Sequence, residues 1–289
     1  MKEISRVLLV ANIKKENISS IVEEILSILR VRNIETEMVS PTFFQLNNKT
    51  TLTDVEEPFK FRDYDMVIAV GGDGTFLFTA RFFYEFGLPI LGINAGRMGF
   101  LMEISAGQFS SAIDKLAKNN FLIKERAILK ATVLRDGKIV FQSPFLNDVV
   151  ISKGILSRMV EILVYINEEP LAQYRADGLI VSTPTGSTAY NLSAGGPILL
   201  QDVNGMIITP ICPHTLGVRP IVAGIEKELK ICFLSGGSDT NLTIDGQENF
   251  LLNVNDVITV KKEKKSVKIY DYGEKQFFKV LREKLGWHI

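Results

Sequence analysis

Five consecutive residues, Gly71 to Thr75, read Gly-Gly-Asp-Gly-Thr and follow a short apolar run, Met66 to Val70. A buried strand that ends in glycines and leads into a helix exposes backbone N–H groups beside the positive end of that helix, which suits an anion such as phosphate. We therefore predict a phosphate-binding loop formed by Gly71, Gly72, Gly74 and Thr75. Thr75 is also expected to cap the following helix.

Asp73 stands inside this loop and needs a separate explanation. A carboxylate among phosphate-binding amides repels phosphate unless it serves another group, either as a base for an attacking hydroxyl or as a metal ligand. A tight turn with a capping aspartate accounts for the same residues. This stretch alone does not decide between the two interpretations.

A second stretch, Tyr174 to Pro197, is dense in hydroxyls, amides and glycines. Serine and threonine hydroxyls bond ribose and base edges, and a tyrosine such as Tyr190 lies well against an adenine ring. Arg175 can neutralise a phosphate, and Asp177 can accept hydrogen bonds from hydroxyl or carboxamide donors. By composition alone, however, a Ser/Thr/Gly-rich connection explains the stretch more simply.

The elements before residue 126 alternate between strand and helix. Apolar runs and helical spacing predict strands at Arg6–Ala11, Asn33–Val39, Tyr64–Val70 and Leu88–Ile93, helices at 18–29, 76–86 and 110–118, and an irregular connection at 40–60. This order is typical of a Rossmann-like parallel sheet, whose ligands bind beyond the carboxyl ends of its strands. A second glycine-bearing loop, Asn94 to Gly99, is expected at that edge, although loop geometry alone also explains its glycines.

The later part favours an all-β domain. Short strands separated by turn residues are typical of a β-sandwich. They are predicted at 128–135 and 138–141, as a hairpin around Asp136-Gly137, and at 159–166, 230–234, 242–244, 257–260 and 267–270. A final helix spans 274–285. We therefore predict an α/β domain at 1–125, with 274–289 packing back on it, and a β-sandwich domain at 126–273.

The composition narrows the class of protein. The 289 residues include 33 Lys+Arg and 33 Asp+Glu, so no overall field favours nucleic acid or an anionic membrane. No signal peptide or membrane-length apolar run is seen, and a cytoplasmic protein is predicted. Cys212 and His214 have no third ligand near them in the sequence, so we expect a structural role for this pair and no protein metal site.

Taken in order along the chain, five blocks resemble the NAD kinase family: Gly71 to Thr75, Asn147-Asp148, Asp177 to Pro197, Pro210 to Leu216, and Asp245 to Gln247. The resemblance runs from the first strand to Tyr270. Gly-Gly-Asp-Gly-Thr is shared with lipid kinases, whereas Asp177 to Pro197 is much more specific.

The resemblance implies an enzyme that transfers a phosphoryl group from ATP or polyphosphate to the 2′-hydroxyl of the adenosine ribose of NAD, giving NADP. It implies an α/β domain followed by a β-sandwich domain, with the site between them, in homodimers or homotetramers. A divalent ion, Mg²⁺, would be held mainly by the donor phosphates. A lipid or sphingoid-base kinase and a non-catalytic dinucleotide sensor are the rival interpretations.

Residue roles follow from the same resemblance. Asp73 matches the base that takes the hydroxyl proton. The positions that match NAD contacts are Asp73, Gly74, Asn147, Asp148, Arg158, Arg175, Asp177, Thr185, Thr188, Ala189, Tyr190, Asn191, Leu192, Ser193 and Gln247. The sequence departs from the family where Asp148 replaces a frequent glutamate and where Phe78 replaces a frequent basic residue. Arg81, one helical turn from Phe78, is a candidate substitute.

Overall fold

The computed structural model describes residues 4–13, 18–41, 61–96, 99–102, 104–118, 122–154, 158–271 and 277–287. The chain divides into two compact units. Unit 1 comprises Met1–Glu125 and Ser266–Ile289, and unit 2 comprises Arg126–Lys265.

Unit 1 is built on a mainly parallel sheet. Its strands are β1 (Arg6–Ala11), β2 (Glu35–Val39), β3 (Met66–Gly71), β4 (Ile90–Asn94), β5 (Ile104–Ser105), β6 (Leu122–Arg126) and β19 (Val267–Asp271). Its helices are α1 (Ile18–Val31), α2 (Asp73–Phe83), α3 (Phe109–Ala117) and α5 (Phe277–Leu285). The strand order is β2-β1-β3-β4-β19-β6, with β5 paired to β4.

Strand β3 lies at the centre of the unit 1 sheet. All six residues of β3 are buried, and β3 pairs in parallel with β1 on one side and β4 on the other. Helix α1 turns its apolar face, Ile18, Val22, Ile25 and Leu29, into the same core. Since parallel strands end at one edge, the turns after β3 and β4 lie close together, as the sequence predicts.

Unit 2 contains two antiparallel sheets. The first is ordered β11-β10-β15-β18-β7-β8 and the second β14-β13-β12-β9-β16-β17. The strands are β7 (Leu129–Arg135), β8 (Lys138–Phe145), β9 (Asp148–Ser152), β10 (Val160–Ile166), β11 (Glu169–Ala176), β12 (Gly178–Ser182), β13 (Gly205–Ile211), β14 (Ile221–Gly224), β15 (Leu229–Ser235), β16 (Asn241–Ile244), β17 (Glu248–Leu251) and β18 (Val257–Lys262). A short helix, α4, spans Tyr190–Ser193.

One hydrophobic core lies between these two sheets. Alternate residues of β7 and β10 are buried, and they pack in one cluster with Val149, Val181 and Ile244 of the second sheet. Alternation of this kind buries one face of the first sheet. Strands β9, β12 and β13 of the second sheet are instead buried at nearly every residue. The predicted α/β unit followed by an antiparallel β-rich unit is therefore confirmed.

One strand assignment from the sequence is corrected, and one alternative interpretation is excluded. Val267 to Tyr270, predicted as a sandwich strand, forms β19, which pairs in parallel with β4 in unit 1. Short apolar strands look alike in both sheet types, so the pattern could not separate them. The alternative interpretation of Tyr174 to Pro197 as a connection alone does not hold, because the stretch contains β12, which lies between β9 and β13 in its sheet.

Some predicted features fall outside the described residues. These are most of the 40–60 connection, Arg97 and Met98 in the second glycine loop, and the first residues of the final helix. Within the part of the chain that the structure describes, no helix is long and apolar enough to cross a membrane.

Candidate active site

The predicted phosphate loop forms the junction between β3 and α2. Gly71 has φ +153°, and a Cβ there would lie 2.5 Å from the hydroxyl oxygen of Thr75, so glycine is required by backbone and space together. Gly72 has an ordinary φ of −117°, is exposed, and would find nothing within 4 Å of an added Cβ. The fold itself does not demand glycine at position 72, and the surface above it is open.

Thr75 does not cap the helix as predicted. Helix α2 begins at Asp73, its N-cap is Gly72, and no side chain caps it. The backbone N–H of Thr75 instead donates to the carbonyl of Gly72 at 2.9 Å. Because the helix starts three residues earlier than the apolar pattern predicts, Thr75 lies inside its first turn, with its side chain against Gly71.

Asp73 is held by the second glycine loop. Its Oδ2 accepts from the backbone N–H of Phe100 at 3.1 Å, and its Oδ1 accepts from that of Leu101 at 3.3 Å. A Cβ on Gly99 would lie 2.1 Å from Oδ1, so the loop approaches the carboxylate too closely for a side chain at 99. Each oxygen has further lone-pair capacity. The carboxylate is therefore fixed in orientation, half-buried, and still able to accept a proton.

Three sequence blocks meet at the end of the second sheet of unit 2 where β9 begins and where β12 and β16 end. We call this end of the sheet the Asn147 edge. Strand β9 lies between β12 and β16, with Asp148 opposite Ser182 and Val149 opposite Ile244. The residues that flank these pairs are therefore neighbours: Asn147 before β9, Thr183 after β12, and Asp245 after β16. Strand pairing thus brings together blocks that are distant in the sequence.

Asn147 is locked through its backbone, while its side chain keeps an unused acceptor. Its carbonyl accepts from the backbone N–H of Thr183 at 2.9 Å and from the Ser182 hydroxyl at 3.2 Å. A Cβ on Gly186 would lie 2.1 Å from that carbonyl, so Gly186 allows close backbone approach. The Asn147 Oδ1 is buried without a hydrogen-bond partner in the described structure. Buried polar atoms are normally paired, so this oxygen is suited to a donor group on a ligand.

Asp148 is a buried carboxylate next to Asn147. Only 4% of the surface of this residue is exposed to solvent. Burial, and then the negative charge of Asp245, raise the pKa of Asp148 to about 7. The group therefore titrates near neutral pH, where hydroxyl donors on a ligand would favour its charged form.

The segment after β12 forms a 3-10 turn, Thr185–Thr188, followed by α4. Thr185 and Asn191 are buried, Tyr190 is 45% exposed, and Ser193 is exposed. Thr188, Ala189 and Leu192 are half-buried. The exposed Tyr190 ring is thus available to a ligand from this segment.

Asn191 has a different environment. Its amide nitrogen donates to the carbonyls of Ser187 and Pro197, and its oxygen accepts from the Thr209 hydroxyl at 2.7 Å. The side chain is fully buried, so it stabilises the segment from within.

Arg175 and Asp177 lie at the other end of β12. Gly178, which follows Asp177, pairs with Ser152 and Ile211, about 14 Å along the strand from Ser182. Asp177 forms an ion pair with Lys153 at 2.7 Å, and Arg175 is exposed. Arg158 is also exposed, and Gln247 is half-buried beside the Asn147 edge. The predicted NAD-contacting residues of unit 2 therefore form two groups, one at each end of β12.

The remaining predicted features are Phe78, Arg81 and Cys212. Phe78 stacks on Phe82 with 6.0 Å between ring centroids, and Arg81 is 7% exposed. Cys212 is exposed at the end of β13. Among the described residues, no group of three or more His, Cys, Asp and Glu side chains could hold a metal ion.

Sequence reasoning missed three elements of the site. The sequence pattern indicates no role for Asp245 within its Asp-Gly-Gln motif, and it predicts neither the Phe100 and Leu101 amides nor the close approach at Gly186. Their partners are distant in the sequence, so no local spacing reveals them.

Comparison with known proteins identifies matching families for both units. Residues 7–121 match the model of the ATP-NAD kinase N-terminal domain, and residues 146–272 match that of the ATP-NAD kinase C-terminal domain. Among curated relatives, the NAD kinase of Moorella thermoacetica is 40% identical over 280 residues, covering 97% of this chain and 89% of that protein. The NAD kinase of Aquifex aeolicus is 39% identical, covering 83% of this chain and 86% of its own.

Solved structures share the fold. Yeast NADH kinase complexed with NADH superposes with a TM-score of 0.84 at 21% identity, covering 99% of this chain and 88% of that one. An NAD kinase from Archaeoglobus fulgidus in complex with ATP gives a TM-score of 0.74 at 22% identity, covering 98% and 100%.

Proposed function

We propose, because the chain belongs to the NAD kinase family, that this enzyme transfers a phosphoryl group from ATP or inorganic polyphosphate to the 2′-hydroxyl of the adenosine ribose of NAD, giving NADP. The observation that carries the proposal is the edge at Asn147 and Asp148. A buried, unpaired amide oxygen next to a buried carboxylate is costly unless a ligand with several donors binds there. The adenosine half of NAD carries an amino group and ribose hydroxyls that supply such donors.

We assign to Asp73 the role of the general base that removes the proton of the 2′-hydroxyl. Phosphoryl transfer needs an in-line hydroxyl, a base and charge neutralisation more than it needs covalent chemistry. The Phe100 and Leu101 amides fix the direction of the carboxylate, which favours a base that acts in one orientation. A product already phosphorylated at the 2′ position would set an anion against Asp73, which favours the unphosphorylated substrate.

The donor phosphates are assigned to the loop formed by Gly71, Gly72, Gly74 and Thr75. The open space above Gly72 and the start of α2 support this role. A divalent ion such as Mg²⁺, held mainly by the donor phosphates, supplies charge neutralisation when bound. The ATP complex of the Archaeoglobus fulgidus relative supports ATP as one donor.

The dinucleotide is assigned to residues of unit 2. Asn147 and Asp148 accept from it, Tyr190 lies against a ring, and Arg175 and Asp177 bind at the far end of β12. Contacts from Gly74, Arg158, Thr185, Thr188, Ala189, Asn191, Leu192, Ser193 and Gln247 remain predictions. For Asn191 we expect a supporting role, since its side-chain groups are already bonded within the fold. Assembly into homodimers or homotetramers is also proposed, and light scattering would measure it.

The proposal is tested by incubating the purified protein and Mg²⁺ with NAD or NADH, each combined with ATP or polyphosphate, and measuring NADP and NADPH. Turnover with NAD is expected, and failure with both donors would refute the proposal. A lipid kinase would instead phosphorylate a sphingoid base in a parallel assay, and a sensor would bind NAD without turnover.

The base assignment is tested by Asp73→Asn. Loss of a general base is expected to lower kcat by roughly 10²- to 10⁴-fold, with a smaller change in NAD affinity. The matched control is Asp63→Asn, which alters an exposed carboxylate of the same unit and is expected to leave kcat unchanged. Equal activity in Asp73→Asn and the wild type would rule out the base.

A further inference from the structure

The Asp245 carboxylate makes an unusual set of contacts. It accepts from three successive backbone N–H groups, those of Leu146 at 3.0 Å, Asn147 at 2.8 Å and Asp148 at 3.0 Å. The Asp245 N–H donates back to the carbonyl of Asp148 at 2.9 Å. Asp245 is 7% exposed, so these bonds are shielded from water. One side chain thus closes the turn that presents Asn147 and Asp148.

A second Asp-Gly turn in the same unit shows what the turn alone requires. Asp136-Gly137 and Asp245-Gly246 both have positive φ at both residues, 51° and 75° in the first and 48° and 64° in the second. Such turns between antiparallel strands favour Asp-Gly for backbone reasons. The Asp136 side chain, however, is exposed at the surface, unlike the buried Asp245 carboxylate. The three amide bonds at Asp245 therefore go beyond turn formation.

The Asn147 turn is held from two sides. Thr183 and Ser182 bind the Asn147 carbonyl, while Asp245 binds its N–H. These bonds tie the backbone that carries the Asn147 and Asp148 side chains to β12 and to the turn after β16. Asp245 is the member of this clamp that carries charge.

We infer that Asp245 is a positioning residue for dinucleotide binding: its bonds to three successive backbone amides hold the Asn147–Asp148 turn in the binding geometry. The inference rests on the proposed function, since it gives Asn147 and Asp148 their ligand. Asp245 itself need not touch the substrate. The carboxylate acts through three backbone amides and through its proximity to Asp148.

The negative charge of Asp245 also raises the pKa of Asp148, after the larger effect of burial. Asp245, from the turn after β16, is the charged side chain that acts on Asp148, and Ser182 faces Asp148 from β12. Removing the Asp245 charge takes away one of the two causes that raise the pKa of Asp148. The pH at which Asp148 loses its proton should then fall.

The test compares Asp245→Asn with the matched control Asp136→Asn, measuring NAD affinity by calorimetry and KM and kcat from pH 5.5 to 8.5. Asparagine keeps the size and the tolerance of positive φ but cannot accept all three bonds. For Asp245→Asn we expect NAD binding to weaken by roughly 10- to 100-fold, a smaller change in kcat, and a pH midpoint of NAD affinity displaced to lower pH. Asp136→Asn should match the wild type in every measurement.

Two further measurements keep the inference falsifiable if Asp245→Asn folds poorly. Hydrogen exchange in the wild type should show slow amides at Leu146, Asn147 and Asp148, and fast exchange at all three would overturn the clamp. In an Asp148→Asn background, adding Asp245→Asn should still weaken NAD binding but should no longer displace a pH midpoint.

The outcomes separate this inference from the proposed function. A folded Asp245→Asn protein with unchanged affinity and pH midpoint would overturn the inference while leaving NAD phosphorylation intact. An inactive wild type would refute the proposed activity, yet the calorimetric comparison would still decide the role of Asp245.

Discussion

Two buried carboxylates of unit 2 have opposite environments. Asp256 is fully buried, and its oxygens accept from Arg135 Nε at 2.8 Å, from Arg135 Nη2 at 2.9 Å and from the Asn253 N–H at 2.8 Å. Burial alone raises the pKa of Asp256, but these bonds outweigh it and hold that pKa below its ordinary value. Asp148 is almost equally buried, yet burial and Asp245 raise its pKa to about 7.

The same contrast separates two asparagines. Asn191 uses both ends of its amide within the fold, whereas the Asn147 Oδ1 is buried without a partner. Complete pairing stabilises a fold, and incomplete pairing in a buried place costs stability. Asp256 and Asn191 therefore belong to the scaffold. Asp148 and Asn147 hold unused bonding capacity at one edge, where the proposed substrate would bind.

The largest expected effect concerns Asp148→Asn. The unfolded group titrates near 3.8 and the folded group near 7, so wild-type stability falls as pH rises through that window, while the unfolded chain alone is losing the proton. At about 1.4 kcal/mol per pKa unit, the loss has a ceiling of roughly 4 kcal/mol above pH 7. Asp148→Asn removes this titration. It should match the wild type near pH 4 and be more stable near pH 8.

Denaturant unfolding of both proteins at a series of pH values measures the difference directly. Carboxylates remote from Asp148 contribute equally to the two proteins and cancel. A difference in the free energy of unfolding that does not change between pH 4 and 8 would show that Asp148 is an ordinary carboxylate, and the comparison with Asp256 would fail.

The next effect concerns Asp256→Ala. Removing this carboxylate leaves the Asn253 N–H and the Arg135 guanidinium without their partner, and a loss of about 3 kcal/mol of stability is expected. The pH dependence has the opposite sign from that of Asp148. Because the folded pKa of Asp256 is lowered, its stabilisation is present above the unfolded pKa and is lost as pH falls into the acid range.

Thermal unfolding and NAD kinetics together test the scaffold role. The melting temperature of Asp256→Ala should fall while KM for NAD stays unchanged at a temperature where the variant is folded. A raised KM in a fully folded variant would contradict the separation between scaffold and binding edge.

Much of the fold could be predicted from the sequence because its signals are local. The apolar run of β1, the helical spacing of α1 and the Asp136-Gly137 hairpin all appear where the pattern indicates them. The sheet to which β19 belongs could not be predicted in this way. A five-residue strand carries no signal for its partner, and β4 is more than 170 residues away in the sequence.

The site was predictable only where residue type and resemblance coincide. The motifs identify Asp73 and Asn147-Asp148, but they do not identify the groups that hold these residues. Phe100 and Leu101 act through backbone amides, which every residue type possesses. Asp245 lies 97 to 99 residues from its three amide partners, and its Asp-Gly pair already has a sufficient explanation as a turn. Tertiary hydrogen bonds of this kind leave no periodic trace in the sequence.

The smallest expected effect on stability comes from a pair of matched substitutions, Asn147→Ala and Asn191→Ala. Asn191→Ala takes away the partner of the Thr209 hydroxyl and of the Ser187 and Pro197 carbonyls, which should cost about 2 kcal/mol of stability. Asn147→Ala removes an oxygen that has no partner, while the backbone bonds to Thr183 and Asp245 remain. Because no bond is lost with that oxygen, the free energy of unfolding of Asn147→Ala should not fall below that of the wild type.

For NAD affinity we expect the opposite order, with a large effect of Asn147→Ala and a small effect of Asn191→Ala. Asn147→Ala removes an acceptor assigned to the ligand and should weaken NAD affinity about tenfold, equivalent to about 1.4 kcal/mol. Asn191→Ala, measured where it is folded, should bind NAD nearly as well as the wild type does. Calorimetric titration of both variants, beside their unfolding curves, makes the comparison decisive. If Asn147→Ala loses stability and keeps its affinity, the unpaired oxygen has a partner within the fold, and the binding edge is elsewhere.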